Sequence, residues 1–572
     1  MLESREVGDI LENIGNLLSY FELIREPYTL VVRWIFPVLA VTIFLRCLLP
    51  LLQDRREKAV WGYLHMMDGT RIPLKHWENS IGRSKLSDIV INLPFVSRSH
   101  AVLTFYNGFW SIVDLKSKTG VEVNGAKIEK PETVKHGDVI SFAGLKLVLV
   151  LPDKEPIRLP QKNNAAKYAP SGSHIKSGVT FLFIILFQFL GGIQIYFSMG
   201  AAVNPAVPLV FILFIFAECL HYVIMWWRRR EHLELELLCY FLSGLSLFIV
   251  ASAAPDFLFK QLVAILFGMV VYTVLEVMIR DLGRAIKLKY LLMAFALVLL
   301  ALNLTIGETY FGAKRWIDLG FITFQPSEFV KIAFVMAGAA TLDKLLTTRD
   351  MTSFIVFSGA CICALVFMRD FGTVVVFFGS FMVMAFMRSG DVRTIAMAAA
   401  GAVLGAIAAV SFMPYIASRF AIWGNVWEHA STFGYQQTRT MIASASGGLL
   451  GVGGGNGYLA DIAAADTDLV FGMLSEEWGL LVALTVVLVM VFFAIYAVLL
   501  TKNCRSSFYA IIACGAASIF LIQTALNVLG SVDIIPLTGI TLPFISRGGS
   551  SMIASWGLLA LIKSADDGTS PA

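Results

Sequence analysis

Three aspartates cluster in the segment from Gly451 to Gly479, GVGGGNGYLADIAAADTDLVFGMLSEEWG, which separates one long apolar run from the next. Asp461, Asp466 and Asp468 precede the apolar run Leu469-Val470-Phe471, and Glu476 and Glu477 follow Asp468 by about two helical turns. A carboxylate at the margin of a hydrocarbon layer is costly to keep charged, so its presence there marks a function. The chemistry it offers is proton abstraction, since partial burial raises its pKa toward the range where a general base works best. Asp466 and Asp468 are two residues apart; if they are close in space, each raises the pKa of the other.

Further polar groups interrupt apolar sequence on both sides. Lys314-Arg315-Trp316-Ile317-Asp318 is followed by Gln325-Pro326-Ser327-Glu328 and Lys331. A proline after polar residues starts a helix, and Glu328 with Lys331 forms an i,i+3 pair inside it. In lipid such a pair either neutralises itself or serves a ligand. Lys314 and Arg315 suit a polyanionic headgroup, while Trp316 fits either that site or an interfacial aromatic belt. Asp370 lies in a short polar break, Arg369-Asp370-Phe371-Gly372-Thr373, able to face a cation. Gln436 and Arg439 share the stretch 415–468 with a glycine-rich run from Gly447 to Gly457. Those glycines bring backbone amides close to a phosphate or sugar, or simply free the loop. Ile534 to Ser551, IIPLTGITLPFISRGGSS, has the prolines and paired glycines of a broken helix lining a cavity.

The elements that must hold these groups are membrane helices. Of 572 residues 57% are apolar and 15% charged, and mean hydropathy is +0.73. The net charge of +4 gives no reason to expect a nucleic-acid partner. The seven cysteines lie in or beside apolar runs without a disulfide framework. Apolar runs predict helices near 30–52, 178–198, 205–227, 235–253, 257–279, 289–306, 328–343, 353–369, 371–388, 393–414, 477–501, 507–530 and 549–564, about thirteen spans. Basic residues recur at Arg228 to Arg230, RDLGRAIKLK, DKLLTTRD, MRSGDVR and TKNCR, which alternation puts on one side with Arg56. That side is expected to be cytoplasmic, and the acidic block then faces outward.

Residues 59–155 differ in character. Short alternating segments such as DIVIN, HAVLTFY, WSIVDL and KLVLVL predict a small all-β sandwich. Arg83, Ser97 to His100, Lys118-Thr119-Gly120 and Asn124-Gly125 fall in its loops. Arginine with hydroxyl and amide donors can capture a phosphate, and the same residue types also build turns. On Gly82-Arg83, Ser97-Arg98-Ser99-His100 and Val123-Asn124-Gly125 the segment resembles the forkhead-associated (FHA) domain. That resemblance implies a phosphothreonine-containing protein, or a Ser/Thr kinase, as partner. It places Arg83 and Ser97 on the phosphate, His100 under the loop, and Thr119 and Asn124 in the peptide site. Thr119 stands where the family has an asparagine that anchors the peptide backbone.

Taken together KRWIDL, QPSEFVK, DFGT, ADTDLVFGMLSEEWG and TGITLPFISRGGSS resemble the SEDS family (shape, elongation, division and sporulation; FtsW/RodA-like). The resemblance implies a ten-helix glycosyltransferase core that polymerises lipid II at the outer face of the bacterial cytoplasmic membrane, beside a class B penicillin-binding protein. Its essential aspartate maps to Asp468, the base toward the acceptor sugar hydroxyl in an inverting displacement of the lipid diphosphate. Lys314, Arg315, Trp316, Gln325, Glu328, Lys331, Asp370, Gln436, Arg439, Glu476 and Glu477 are the expected substrate-binding residues. Charge on the leaving group is met by Arg315, Lys314, Lys331 or Arg439, or by a divalent cation (Mg or Mn) on Asp468 and Asp370. Arg369 and Arg547 replace a proline and a tyrosine of the family pattern, adding positive charge beside Asp370 and the acidic block.

The expected architecture is therefore a multi-pass α-helical membrane protein with an inserted FHA sandwich. One helix lies in 1–58, FHA in 59–155, a linker in 156–177, two extra helices in 178–230, the SEDS core in 231–565 and a tail in 566–572. A precursor flippase and a non-enzymatic division scaffold are the alternatives; polymer formation from lipid II separates the enzyme from both, and flipping without polymer marks the flippase.

Overall fold

The computed structural model describes residues 2–53, 62–151 and 177–567, apart from short interior stretches of which 200–205 and 343–347 are the longest. The linker expected at 156–177, save its last residue, and the tail beyond Asp567 lie outside the described residues.

Alternating apolar residues fold the first domain. Its strands are β1 Gly62–Met66, β2 Arg71–Leu74, β3 Glu78–Gly82, β4 Ile89–Val90, β5 Ala101–Tyr106, β6 Phe109–Asp114, β7 Val121–Val123, β8 Ala126–Lys127, β9 Glu132–Val134, β10 Val139–Phe142 and β11 Leu145–Val150. They form two sheets, ordered β2-β1-β11-β10-β7-β8 and β4-β3-β5-β6-β9. Cross-strand pairs such as Leu64 with Leu149 and Leu103 with Ile112 point inward, joining Trp110 and Phe142 in one buried core.

Helices occupy all thirteen expected positions: α1 Leu2–Gln53, α2 Ser177–Met199, α3 Ala206–Trp227, α4 Glu234–Ala253, α5 Leu258–Ile279, α7 Lys289–Ile306, α8 Pro326–Leu342, α9 Thr348–Phe367, α10 Phe371–Ser389, α11 Val392–Phe412, α15 Leu480–Thr501, α16 Ser507–Ser531 and α17 Gly549–Asp567. Short helices α6 Leu282–Lys287, α12 Pro414–Ile422, α13 Tyr435–Gly447 and α14 Val470–Glu477 fall between them. Among the described residues nine helices are long and apolar enough to cross a bilayer, ten if the bent pair Ala396–Ser411 and Ile416–Ile422 is one span. The helix expected at 477–501 begins at Leu480, because Gly479 adopts φ 89° and ends α14 after Glu477. A small sheet absent from the sequence reading, β12 Glu308–Tyr310, β13 Ala313–Asp318 and β14 Thr323–Phe324, carries Lys314 to Trp316.

Helix α4 is enclosed on nearly all sides, and α1 and α2 pack against the same core. Trp478 is the shared point: it stacks on Phe248 of α4 at 4.6 Å and meets Phe36 of α1 edge-on at 4.7 Å. Helix α16 sets the distance between the two ends of the molecule. Ser507 at its start donates to Glu78 of the β-sandwich (3.1 Å), and Asn527 near its finish donates to the Asp468 carbonyl (3.0 Å). Twenty residues of helix separate these contacts, about 30 Å, the thickness of a bilayer's hydrocarbon core.

Candidate active site

Asp468 sits on a turn built around Ala464. The Ala464 carbonyl accepts from the amides of Thr467, Asp468 and Leu469, and Ala464 itself adopts φ 64°, a left-handed conformation that costs a residue with a Cβ. The segment preceding α17 fixes this turn from the other side. Ser546 Oγ donates to the Thr467 carbonyl at 2.5 Å, the Arg547 amide donates to the Asp466 carbonyl at 2.7 Å, and Asn527 holds the Asp468 and Ile540 carbonyls. The prolines and glycines of that segment keep residues 532–548 out of helix, so its backbone is free to make these bonds.

Burial raises the pKa of Asp468 above the usual carboxylate range, and Arg315, then a hydrogen bond from Thr467, then Arg419 oppose the rise. The Asp468 carboxylate and the Arg315 guanidinium both approach Gly539, whose carbonyl accepts from Arg315 at 3.3 Å. Arg315 also faces Asp370 at 3.4 Å, and Thr373 donates to the other Asp370 oxygen at 2.8 Å. Arg315 thus lies beside both acids, Asp370 and Asp468, that were the alternative ligands for a divalent cation. Among the described residues there is no cluster of three or more acidic, His or Cys ligands. The donor set fits an arginine-centred site, because the guanidinium already supplies the charge that a divalent ion would bring.

Asp466 pairs with Arg547 at 2.6 Å, and Arg547 lies over the Phe257 ring at 4.4 Å. The replacement of tyrosine by arginine therefore gives Asp466 its own counterion. Burial still raises Asp466, and its repulsion is the smallest influence on Asp468.

Several other expected site residues are engaged by the scaffold. Lys314 Nζ donates to the Leu304 and Thr305 carbonyls at the end of α7 (2.6 and 3.2 Å), a C-terminal cap. Glu328 and Lys331 pair at 2.7 Å and are 4% and 1% exposed, so they neutralise each other. The Gln325 amide donates to Ser550, and Trp316 is half-buried on β13. Gln436 Nε2 donates to the Ala463 carbonyl (2.8 Å), bracing the Asp468 turn, and Arg439 lies over Tyr435. Glu476 accepts from the Tyr458 and Leu459 amides, both at 2.9 Å, and Glu477 from Ser252 and the Gly455 amide. Both glutamates thus point into the glycine-rich loop. Arg419, whose guanidinium donates to the Leu537 carbonyl, and Asn527 were missed; an arginine on the short α12 and an amide in an apolar span were the available signals.

In the sandwich His100 is fully buried. Its Nδ1 accepts from the Ser97 amide and its Nε2 faces the Gly120 carbonyl, both at 3.1 Å, which locks the two loops together. Arg83 is exposed beside Ser97, joined to it by a backbone bond of 3.0 Å. Thr119 is exposed and its hydroxyl donates to Phe95. Asn124 binds Asp138 and the Val139 amide at φ 54°, so its side chain closes a turn.

Residues 236–570 match the FtsW/RodA/SpoVE family model, described as cell cycle protein, and residues 79–143 match the FHA domain model. The peptidoglycan glycosyltransferase RodA of Mycobacterium leprae is 29% identical over 320 residues, 53% of this chain and 68% of that protein. A probable peptidoglycan glycosyltransferase FtsW of Tolumonas auensis is 34% identical over 275 residues, 46% of this chain and 71% of that protein. The crystal structure of Thermus thermophilus RodA aligns at 25% identity and TM-score 0.44, covering 59% of this chain and 98% of that one.

Proposed function

Since this chain belongs to the FtsW/RodA/SpoVE family and carries an FHA domain, we propose that it is a peptidoglycan glycosyltransferase that polymerises lipid II at the outer face of the cytoplasmic membrane. The observation that carries the chemistry is Asp468: a half-buried residue whose carboxyl has a raised pKa, on a strained turn, near Arg315 and Arg419. Asp468 takes the proton of an acceptor sugar hydroxyl. The freed oxygen attacks the anomeric carbon of the growing chain, the bond from that carbon to the diphosphate oxygen breaks, and the configuration inverts. Arg315 and Arg419 balance the charge left on the diphosphate, with Asp370 orienting Arg315. The bilayer-length separation of Asp468 from the β-sandwich along α16 supports opposite faces for the two, and the basic connections favour the sandwich side as the cytoplasmic one.

The partner in this reading is a class B penicillin-binding protein, a transpeptidase that cross-links the new strand. The FHA domain reads a phosphothreonine protein of the cytoplasm, with Arg83 and Ser97 on the phosphate and His100 holding the loops. The test is polymerisation of labelled lipid II by the purified full chain. Asp468→Ala removes polymer, whereas lipid flipping without polymer overturns the assignment. Arg83→Ala abolishes phosphothreonine-peptide binding and leaves polymerisation intact; unchanged binding refutes the phosphate role.

A further inference from the structure

Helices α1 and α2 precede the family-matched segment, yet both touch the loop that leads to Asp468. Arg25 Nη2 donates to Asn456 Oδ1 at 2.6 Å. Gln194 Nε2 lies 3.5 Å from the Gly454 carbonyl and 3.1 Å from Thr29 Oγ1, which ties α2 to both the loop and α1. Glycine suits both the backbone and the approach here: Gly453 and Gly455 adopt φ 102° and 75°, a Cβ on Gly453 would meet Thr29 Cγ2 at 2.6 Å, and one on Gly455 would press on Ser198. Beyond this contact the loop is bonded onward. The Gly455 amide reaches Glu477, the Tyr458 and Leu459 amides reach Glu476, and a short turn at Leu459–Asp461 delivers the chain to Ala464 and Asp468.

We propose that α1 and α2 form a clamp on the glycine-rich loop, and that Arg25 and Gln194 are positioning residues for Asp468. This deepens the glycosyltransferase reading and rests on it. The loop has its own anchors in Glu476 and Glu477, so the core helices fold around Trp478 whether or not the clamp bonds form. What the clamp adds is a fixed position for residues 453–456, and through them a narrower range of positions for the base. A base displaced by a fraction of its hydrogen-bond length loses rate more than affinity.

The test uses the full chain in lipid nanodiscs with labelled lipid II, together with hydrogen exchange of its amides. Arg25→Ala, Asn456→Ala and Gln194→Ala each lower kcat about tenfold while KM stays within about twofold. The Arg25→Ala/Asn456→Ala double variant falls no further than either single, and Arg25→Lys recovers most of the rate. Exchange rises at amides 453–468 and is unchanged in α15, α16 and the FHA domain. Wild-type kcat with unchanged exchange in Arg25→Ala overturns the clamp, as does exchange that rises across the whole core. If the wild-type chain makes no polymer, the glycosyltransferase reading falls, and the clamp is then decided by the exchange pattern alone.

Discussion

Glu477→Gln isolates a single ionisation. Glu477 lies on α14, outside the spans, with Ser252 Oγ at 2.5 Å and the Gly455 amide at 3.1 Å, and burial lifts its pKa from 4.5 to about 7. Because the folded state holds the proton more tightly than the unfolded chain, its contribution to stability is fully present below 4.5 and is lost as pH rises to about 7. The gap from 4.5 to about 7, at ~1.4 kcal/mol per pH unit, is about 3 kcal/mol. Glutamine mimics the protonated form: its oxygen accepts from Gly455 and its amide donates to a rotated Ser252 hydroxyl. In thermal unfolding of the detergent-solubilised chain from pH 5 to 8.5, the wild type loses stability with rising pH over the lower part of that range. Glu477→Gln loses less. Parallel pH dependence in the two proteins refutes the reasoning.

Arg315→Gln removes the main influence opposing the raised pKa of Asp468, so the acid limb of the polymerisation pH profile moves to higher pH and rate at neutral pH falls. Lys331→Met strands a buried Glu328 and lowers stability by about 3–5 kcal/mol, read as a fall in the unfolding temperature, while the Glu328→Gln/Lys331→Met double variant recovers most of it. Asp466→Ala leaves Arg547 without its carboxylate; because the Asp466 charge is the smallest influence on Asp468, the midpoint of the pH profile drops only slightly while the maximal rate falls through the loosened turn.

Much of this molecule is written in local pattern. Alternation of two gives the sandwich strands, and continuous apolar runs give the spans to within a few residues, as at 289–306. Glu328 with Lys331 was legible because helical spacing alone puts i and i+3 together. Arg315 between Asp370 and Asp468 was not, since that meeting joins three separated segments and no short-range rule connects them. Lys314 shows the opposite case. Next to Arg315 in sequence it looked equally suited to a headgroup, but alternation along β13 turns it toward the α7 carbonyls. The contacts of glutamates 476 and 477 were not legible for a similar reason, because a glycine at 479 separates their helix from the span, and their carboxylates accept from loop amides.

The fixed span of α16 has a consequence for the lipid around the protein. A helical stretch of about 30 Å matches one hydrocarbon thickness best, and it carries the Asp468 turn at one tip. Shorter acyl chains would leave the Asp468 turn standing clear of the hydrocarbon; longer ones would draw it in, unless the bilayer thins around the helix. Acyl-chain length thereby becomes a tuning variable for the enzyme, with rate peaking where hydrophobic mismatch vanishes.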